Sequence, residues 1–148
     1  QSMILTKEEQ MVLTPTYYVF KQYAVHQDAT HLPVDIDCEE MEMQGANRHF
    51  EAKLPMLSAT ASKDQQGRIH LSLTNVSIDK EQTVTVNLKG INATKATGVM
   101  LTAPRIEDLN SFENPDKVKE VPFGEVKVKQ GVMKVTLPKN SIVTLTLL

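Results

Sequence analysis

The chain has 148 residues, 41% of them apolar and 23% charged, with a formal net charge of -2. That is the composition of a soluble globular protein long enough for one substantial core, and it offers no general attraction to nucleic acid or anionic membrane. No apolar run approaches the roughly 20 residues of a membrane-spanning helix, and the lone Cys38 excludes an internal disulfide.

In chain order, Gln1 to Thr6 reads as a short apolar strand, followed by a polar turn at Lys7 to Gln10 and then Met11-Val12-Leu13. A helix follows: Thr14 suits the N-cap and Pro15 the first helical position, where its missing N–H does no harm. Thr16, Val19, Phe20 and Tyr23 recur at helical spacing and predict the packed face. His26 falls in the fraying last turn, where a cation is favoured. From Thr30 the period becomes two: Leu32, Val34, Ile36 and Cys38 alternate with Pro33, Asp35, Asp37 and Glu39. The carboxylates Asp35, Asp37, Glu39, Glu40 and Glu42 read as a solvated face, and Cys38 as a small apolar filler. Gly45 to His49 reads as loop.

Short strands then follow in quick succession. They are Met56 to Ser62, Arg68 to Asn75 after a turn at Lys63 to Gly67, Gln82 to Lys89, and Ala96 to Ala103. In the second of these Ile69, Leu71 and Leu73 face in, while His70, Ser72 and Thr74 face out. Residues 105–123 lack periodicity, and a loop of that length in a compact domain usually has a task. Glu125 to Lys129, a Gln130-Gly131 turn, Val132 to Leu137 and Ser141 to Leu148 close the chain. The pattern argues a mainly-β fold, a sandwich or jelly roll. Sequons occur at Asn75-Val76-Ser77 and Asn92-Ala93-Thr94.

No nucleophile elbow, phosphate-cradling glycine loop or zinc spacing is present, and nothing in the spacing of Glu107, Asp108, Glu113 and Asp116 sets up a carboxylate pair. The residues alone do not make an enzyme. The rival is a stand-alone carbohydrate-binding or protein-interaction β-sandwich module. Against sugar binding stands the aromatic inventory: no Trp, and three Tyr all within the N-terminal helix.

Gln1-Ser2-Met3-Ile4-Leu5-Thr6, Leu13-Thr14-Pro15-Thr16-Tyr17-Tyr18-Val19-Phe20 and His26-Gln27-Asp28-Ala29 resemble the end of the catalytic barrel in family 51 α-L-arabinofuranosidases. The similarity continues through Leu57-Ser58-Ala59-Thr60-Ala61-Ser62, Gly67-Arg68-Ile69-His70, Leu73-Thr74-Asn75, Leu101-Thr102-Ala103-Pro104 and Asn110-Ser111-Phe112-Glu113-Asn114-Pro115. It closes with Val121-Pro122-Phe123 and Leu137-Pro138-Lys139-Asn140-Ser141. The resemblance implies a (β/α)8 barrel joined to a C-terminal β-sandwich of jelly-roll type. It also implies retaining hydrolysis of terminal α-L-arabinofuranosyl units by two Glu residues, without metal or organic cofactor. By this likeness residues 1–29 are the last strand and helix of the barrel and residues 30–148 the sandwich. Both catalytic Glu residues then lie on earlier barrel strands, which makes this chain structural and inactive by itself. Gln1 matches a Gln at the end of the eighth strand that hydrogen-bonds the arabinofuranosyl ring, and so is a substrate-binding candidate in the intact enzyme. The implied partners are the barrel of the same polypeptide and arabinose-containing oligo- and polysaccharides, in a homo-oligomeric parent of the bacterial cytoplasm or cell envelope. No nucleic-acid or membrane partner is implied. In the family a segment before the barrel contributes to the sandwich, so an open sheet edge or a substitute contact is expected, with Val19, Phe20 and Tyr23 the cover.

Overall fold

The computed structural model describes residues 2–44 and 51–148. Among these, β1 (Ile4–Lys7) and β2 (Gln10–Leu13) form an antiparallel hairpin. Thr14 joins the hairpin to the helix. Its hydroxyl donates to the carbonyls of Ser2 and Met3 at 3.0 Å, and the Tyr17 N–H donates to it at 3.4 Å. The helix α1 (Pro15–Tyr23) starts at Pro15 as predicted and runs into a 3-10 turn at Ala24–His26.

The remaining strands are β3 (Thr30–Leu32), β4 (Glu40–Gln44), β5 (Glu51–Pro55), β6 (Leu57–Lys63), β7 (Ile69–Asn75), β8 (Gln82–Asn87), β9 (Lys95–Thr102), β10 (Val121–Lys127), β11 (Val132–Leu137) and β12 (Ser141–Leu147). Six of them form one sheet in the order β10-β9-β12-β7-β6-β3, with its pairs antiparallel. A ribbon of β11 and β8 covers one face of that sheet. Between the two layers lie Leu71, Leu73, Ala96, Met133, Val135, Leu137, Val143, Leu145 and Leu147, each buried. The mainly-β expectation thus holds. The Gln130-Gly131 turn has positive φ at both residues (51° and 74°), the geometry that matches the twist of the strands it joins.

Three local expectations are corrected. The strand from Leu32 to Cys38 stops at Leu32, because Pro33 has no N–H to continue the ladder; Val34 and Ile36 beyond it are exposed. An additional hairpin, β4–β5, follows, setting Glu42 opposite Lys53; the expected loop at Gly45 to His49 lies outside the described residues. The last correction concerns the helix. Phe20 is 63% exposed, and the buried residues of α1 are Tyr18 and Gln22, so the packed face is rotated from the predicted one.

The second face of the six-stranded sheet carries α1. Tyr18, Leu101 and Val118 form a small core there, flanked by Leu13, Tyr17, Val19 and Ala103. The long segment after β9 closes over this core. Buried Asn110 donates to the carbonyls of Leu13 (2.7 Å) and Val118 (2.8 Å) and accepts from the Val118 N–H (2.7 Å), and Lys21 pairs with Glu120.

Candidate functional site

Polar side chains gather in the seam between α1 with its 3-10 turn and the sheet. Strand alternation puts Ser62 of β6, His70, Ser72 and Thr74 of β7, and Thr144 and Thr146 of β12 on the same sheet face, in cross-strand register. Ser62, His70, Ser72 and Thr144 are all buried under the helix, which corrects the reading of His70 as a surface residue. His26 enters from above: Nδ1 lies 2.7 Å from Ser62 Oγ and Nε2 2.8 Å from Ser72 Oγ. Ser72 Oγ lies 2.8 Å from Thr144 Oγ1, which donates to Gln22 Oε1 at 3.4 Å. Gln22 Nε2 is buried and has no hydrogen-bond partner among the described residues.

Beside this runs a second set. His70 Nδ1 lies 3.0 Å from Thr146 Oγ1, and His70 Nε2 lies 3.0 Å from Asp64 Oδ2. Asp64 also accepts from Arg68 Nε (2.7 Å) and from the backbone N–H groups of Gln66 and Arg68, which shapes the turn. Burial opposes the Asp64 charge, but the hydrogen bonds from His70 and Arg68 outweigh it and hold the carboxyl well below the usual range. A carboxylate, an imidazole and a hydroxyl in line are the parts of a nucleophilic triad. Chemistry also needs room for an acyl or glycosyl group beside the hydroxyl, and neither surface cleft supplies it. One cleft, of about 490 Å³, lies between Asp37-Cys38-Glu39 and the edge of β8; the other, of about 390 Å³, lies between Pro15 and Val19 of α1 and Leu101, Ile106 and Ile142. Neither is lined by Asp64, His70 or Thr146.

The acidic residues of the 105–123 loop are not assembled into a pair. Asp108 is bridged to Lys117 at 2.8 Å, Glu107 to Arg105 at 3.4 Å and Asp116 to Lys119 at 3.5 Å. The hydrogen bond from Lys117 holds Asp108 below the ordinary carboxylate range, and one from Ser111 does the same for Glu113. Glu125 is lowered by Lys95. A glycosidic general acid needs a carboxyl pushed the other way, and among the described residues Asp64, Asp108, Glu113 and Glu125 are all moved down. Among the described residues no group of three or more His, Cys, Asp or Glu side chains comes together to hold a metal ion. No helix among the described residues is long and apolar enough to cross a membrane. Gln1 lies outside the described residues.

Sequence reasoning missed the seam although a signal for it exists. The outward positions of β6, β7 and β12 hold Ser, Thr and His with no Lys or Glu, unlike a solvated face. Small hydroxyls without charges mark a surface that something polar will cover.

The sequence profile described as the α-L-arabinofuranosidase C-terminal domain matches residues 1–141. An intracellular exo-α-L-arabinofuranosidase of Bacteroides ovatus is 58% identical over 147 residues, which is 99% of this chain and 28% of that protein. The crystal structure of a GH51 arabinofuranosidase from Xanthomonas axonopodis pv. citri superposes with a TM-score of 0.90 at 37% identity, over 100% of this chain and 29% of its own. The thermostable GH51 α-L-arabinofuranosidase of Thermotoga petrophila RKU-1 shares the fold at 22% identity, with a TM-score of 0.84 over 99% of this chain and 31% of its own. The chain therefore spans less than a third of the length of these relatives.

Proposed function

Since the chain belongs to the α-L-arabinofuranosidase C-terminal domain family, we propose that it serves as the C-terminal β-domain of a retaining enzyme that hydrolyses terminal non-reducing α-L-arabinofuranosyl residues of arabinan- and arabinoxylan-type substrates. Its contribution is structural. The observation that carries this is the state of Asp64, Asp108, Glu113 and Glu125, each held as an anion by hydrogen bonds from a cation, an imidazole or a hydroxyl. In this reading residues 1–29 belong with a (β/α)8 barrel of the same polypeptide, Gln1 reaches the substrate ring from the barrel, and residues 30–148 brace it.

Two further features support the assignment. Met3, Ile4, Met11, Phe20, Ile106 and Leu109 are exposed large apolar residues drawn from the hairpin, the helix and the long loop, the elements tied together around Asn110 and Glu120. A surface of that kind suits a domain contact. β8 pairs with β11 alone among the described residues, which leaves the sheet edge open to a strand from elsewhere in the polypeptide. The sugar-binding alternative gains little from the tyrosines, because Tyr18 is buried and Tyr17 meets it edge-on at 5.5 Å.

The test is a chimera. This chain replaces the matching segment of the Bacteroides ovatus relative, and hydrolysis of an aryl α-L-arabinofuranoside is measured for the chimera, for the relative without that segment and for the 148-residue chain alone. Activity in the chimera only is the expected result. Turnover by the isolated chain, or full activity and thermal stability after the deletion, overturns the structural role.

A further inference from the structure

With Gln22 Oε1 taken as the acceptor of the Thr144 hydroxyl, donor counting gives one sense to the hydrogen-bond chain in the seam. Thr144 spends its proton on Gln22 Oε1, so it accepts from Ser72. Ser72 in turn has given away its proton and accepts from His26, which places the imidazole hydrogen on Nε2. Nδ1 then carries a lone pair and accepts from the Ser62 hydroxyl. The chain runs one way from β6 through the 3-10 turn to β7, β12 and back to α1, and His26 is its one member able to titrate near neutrality.

A second proton on His26 cannot enter without cost. It takes the Nδ1 lone pair, and the Ser62 hydroxyl, 3% exposed and without another side-chain partner among the described residues, loses its acceptor. The new charge also faces His70, whose Nε2 is already engaged by Asp64 with Arg68 behind it. We propose that His26 is a pH-operated latch: its protonation breaks the chain that seats α1 on the sheet, and the helix leaves while the sandwich beneath stays folded. The sandwich survives because its main core lies on the opposite face of the sheet, between β7, β12 and β11.

The sign follows from linkage. Burial first, and the neighbouring His70 second, push His26 below the ordinary imidazole value. The undocked histidine therefore binds the proton more readily. Docking is complete above about pH 6.5 and is lost as the pH falls through the lowered value. The other charged or titratable groups around α1 and the seam are Lys21 with Glu120, Asp108 with Lys117, and the exposed His31, which stands across from Ser62 in the β3–β6 ladder; His31→Gln should leave the acid step in place.

The protein carries its own reporter. It has no Trp, and Tyr17, Tyr18 and Tyr23 all sit on α1. Near-ultraviolet circular dichroism of tyrosine therefore reads helix seating, and the far-ultraviolet strand signal reads the sandwich. On acidification from pH 8 to pH 5 the tyrosine signal should fall first, with a midpoint below about 6.5 and the strand signal retained. His26→Gln should abolish this step, and Ser62→Ala, which removes the stranded hydroxyl and lets the seated His26 accept the proton at less cost, should move the midpoint downward. An NMR titration of the His26 ring in the unmodified chain should give the same midpoint. Loss of both signals in one transition, a step that persists in His26→Gln, a midpoint unmoved in Ser62→Ala, or a His26 that titrates while the tyrosine signal stays constant each overturns the latch.

Discussion

Asn110 shows how much one amide can organise. It satisfies two carbonyls and one N–H from the end of the hairpin and from the long segment after β9, and it is 2% exposed. Replacing it by Ala strands those groups away from water, at about 1–3 kcal/mol for each one left unpaired. Asn110→Ala should lower the unfolding midpoint in urea. The loss should be greater than for Asn114→Ala, whose recorded bonds are made by its backbone with Ser111. The residue scale is also where sequence reading reaches least far. Thr14 and Pro15 were legible because a cap acts on its own helix within a few residues. Asn110 was not, because its partner Leu13 is 97 residues away. His70 failed for a related reason: alternation assigns a side chain to a face but does not say what covers that face.

Elements carry a different constraint, backbone proximity. Gly98 lies in β9 between β10 and β12, opposite Phe123 and Leu145. A Cβ placed there would stand 1.9 Å from the carbonyl oxygen of Thr144 and 2.9 Å from the Leu145 Cα, so β9 and β12 would have to separate. Gly98→Ala should cost at least the roughly 1–3 kcal/mol of an overpacked site, about 2–4 °C of melting temperature per kcal/mol in a chain of this size. Gly124→Ala should be silent by comparison, since an added methyl group there meets nothing within 4 Å. Strand existence was readable from alternation for β7 and β8, from short runs between turn signals for β6 and β9, and from β-branched runs for β11 and β12. The face of α1 was not. Tyr17, Tyr18, Val19, Phe20 and Tyr23 spread apolar character around the helix, so periodicity could not choose the buried side. A sheet surface of hydroxyls chose it instead, by accepting Gln22 and Tyr18 and turning Phe20 to solvent.

Over the whole molecule, two cores of unequal size lie on the two faces of one sheet. The larger is built from strands whose apolar positions the sequence shows, though the pairing of β12 with β7 and β9 and of β11 with β8 joins distant segments. The smaller joins the first strand pair, the helix and the segment after β9, and it leaves Phe20, Ile106 and Leu109 between 60% and 63% exposed. Changing these three to Ser, Thr and Gln respectively should leave the melting temperature of the isolated chain within about 1 kcal/mol equivalent, since exposed side chains contribute little. The same triple change in the chimera with the Bacteroides ovatus relative should lower its thermal stability and its arabinofuranosidase activity together. An unaffected chimera would place the domain contact on another surface.

Asn75 ends β7 with its side chain 1% exposed, donating to the carbonyls of Lys80, Leu137 and Pro138 and accepting from the Ser77 N–H. Its amide nitrogen is the atom that a glycan would occupy in the Asn75-Val76-Ser77 sequon. Folding and glycosylation are therefore mutually exclusive at this position, and whichever happens first decides the fate of the chain. In a host that glycosylates nascent polypeptides, a sugar attached before β7 finds β12 would lock the molecule out of its sheet. Exposed Asn92 could carry one harmlessly. The choice of expression host thus becomes a folding variable for this protein, and Asn75→Gln would not relieve it, because the longer amide no longer fits the carbonyls it must serve.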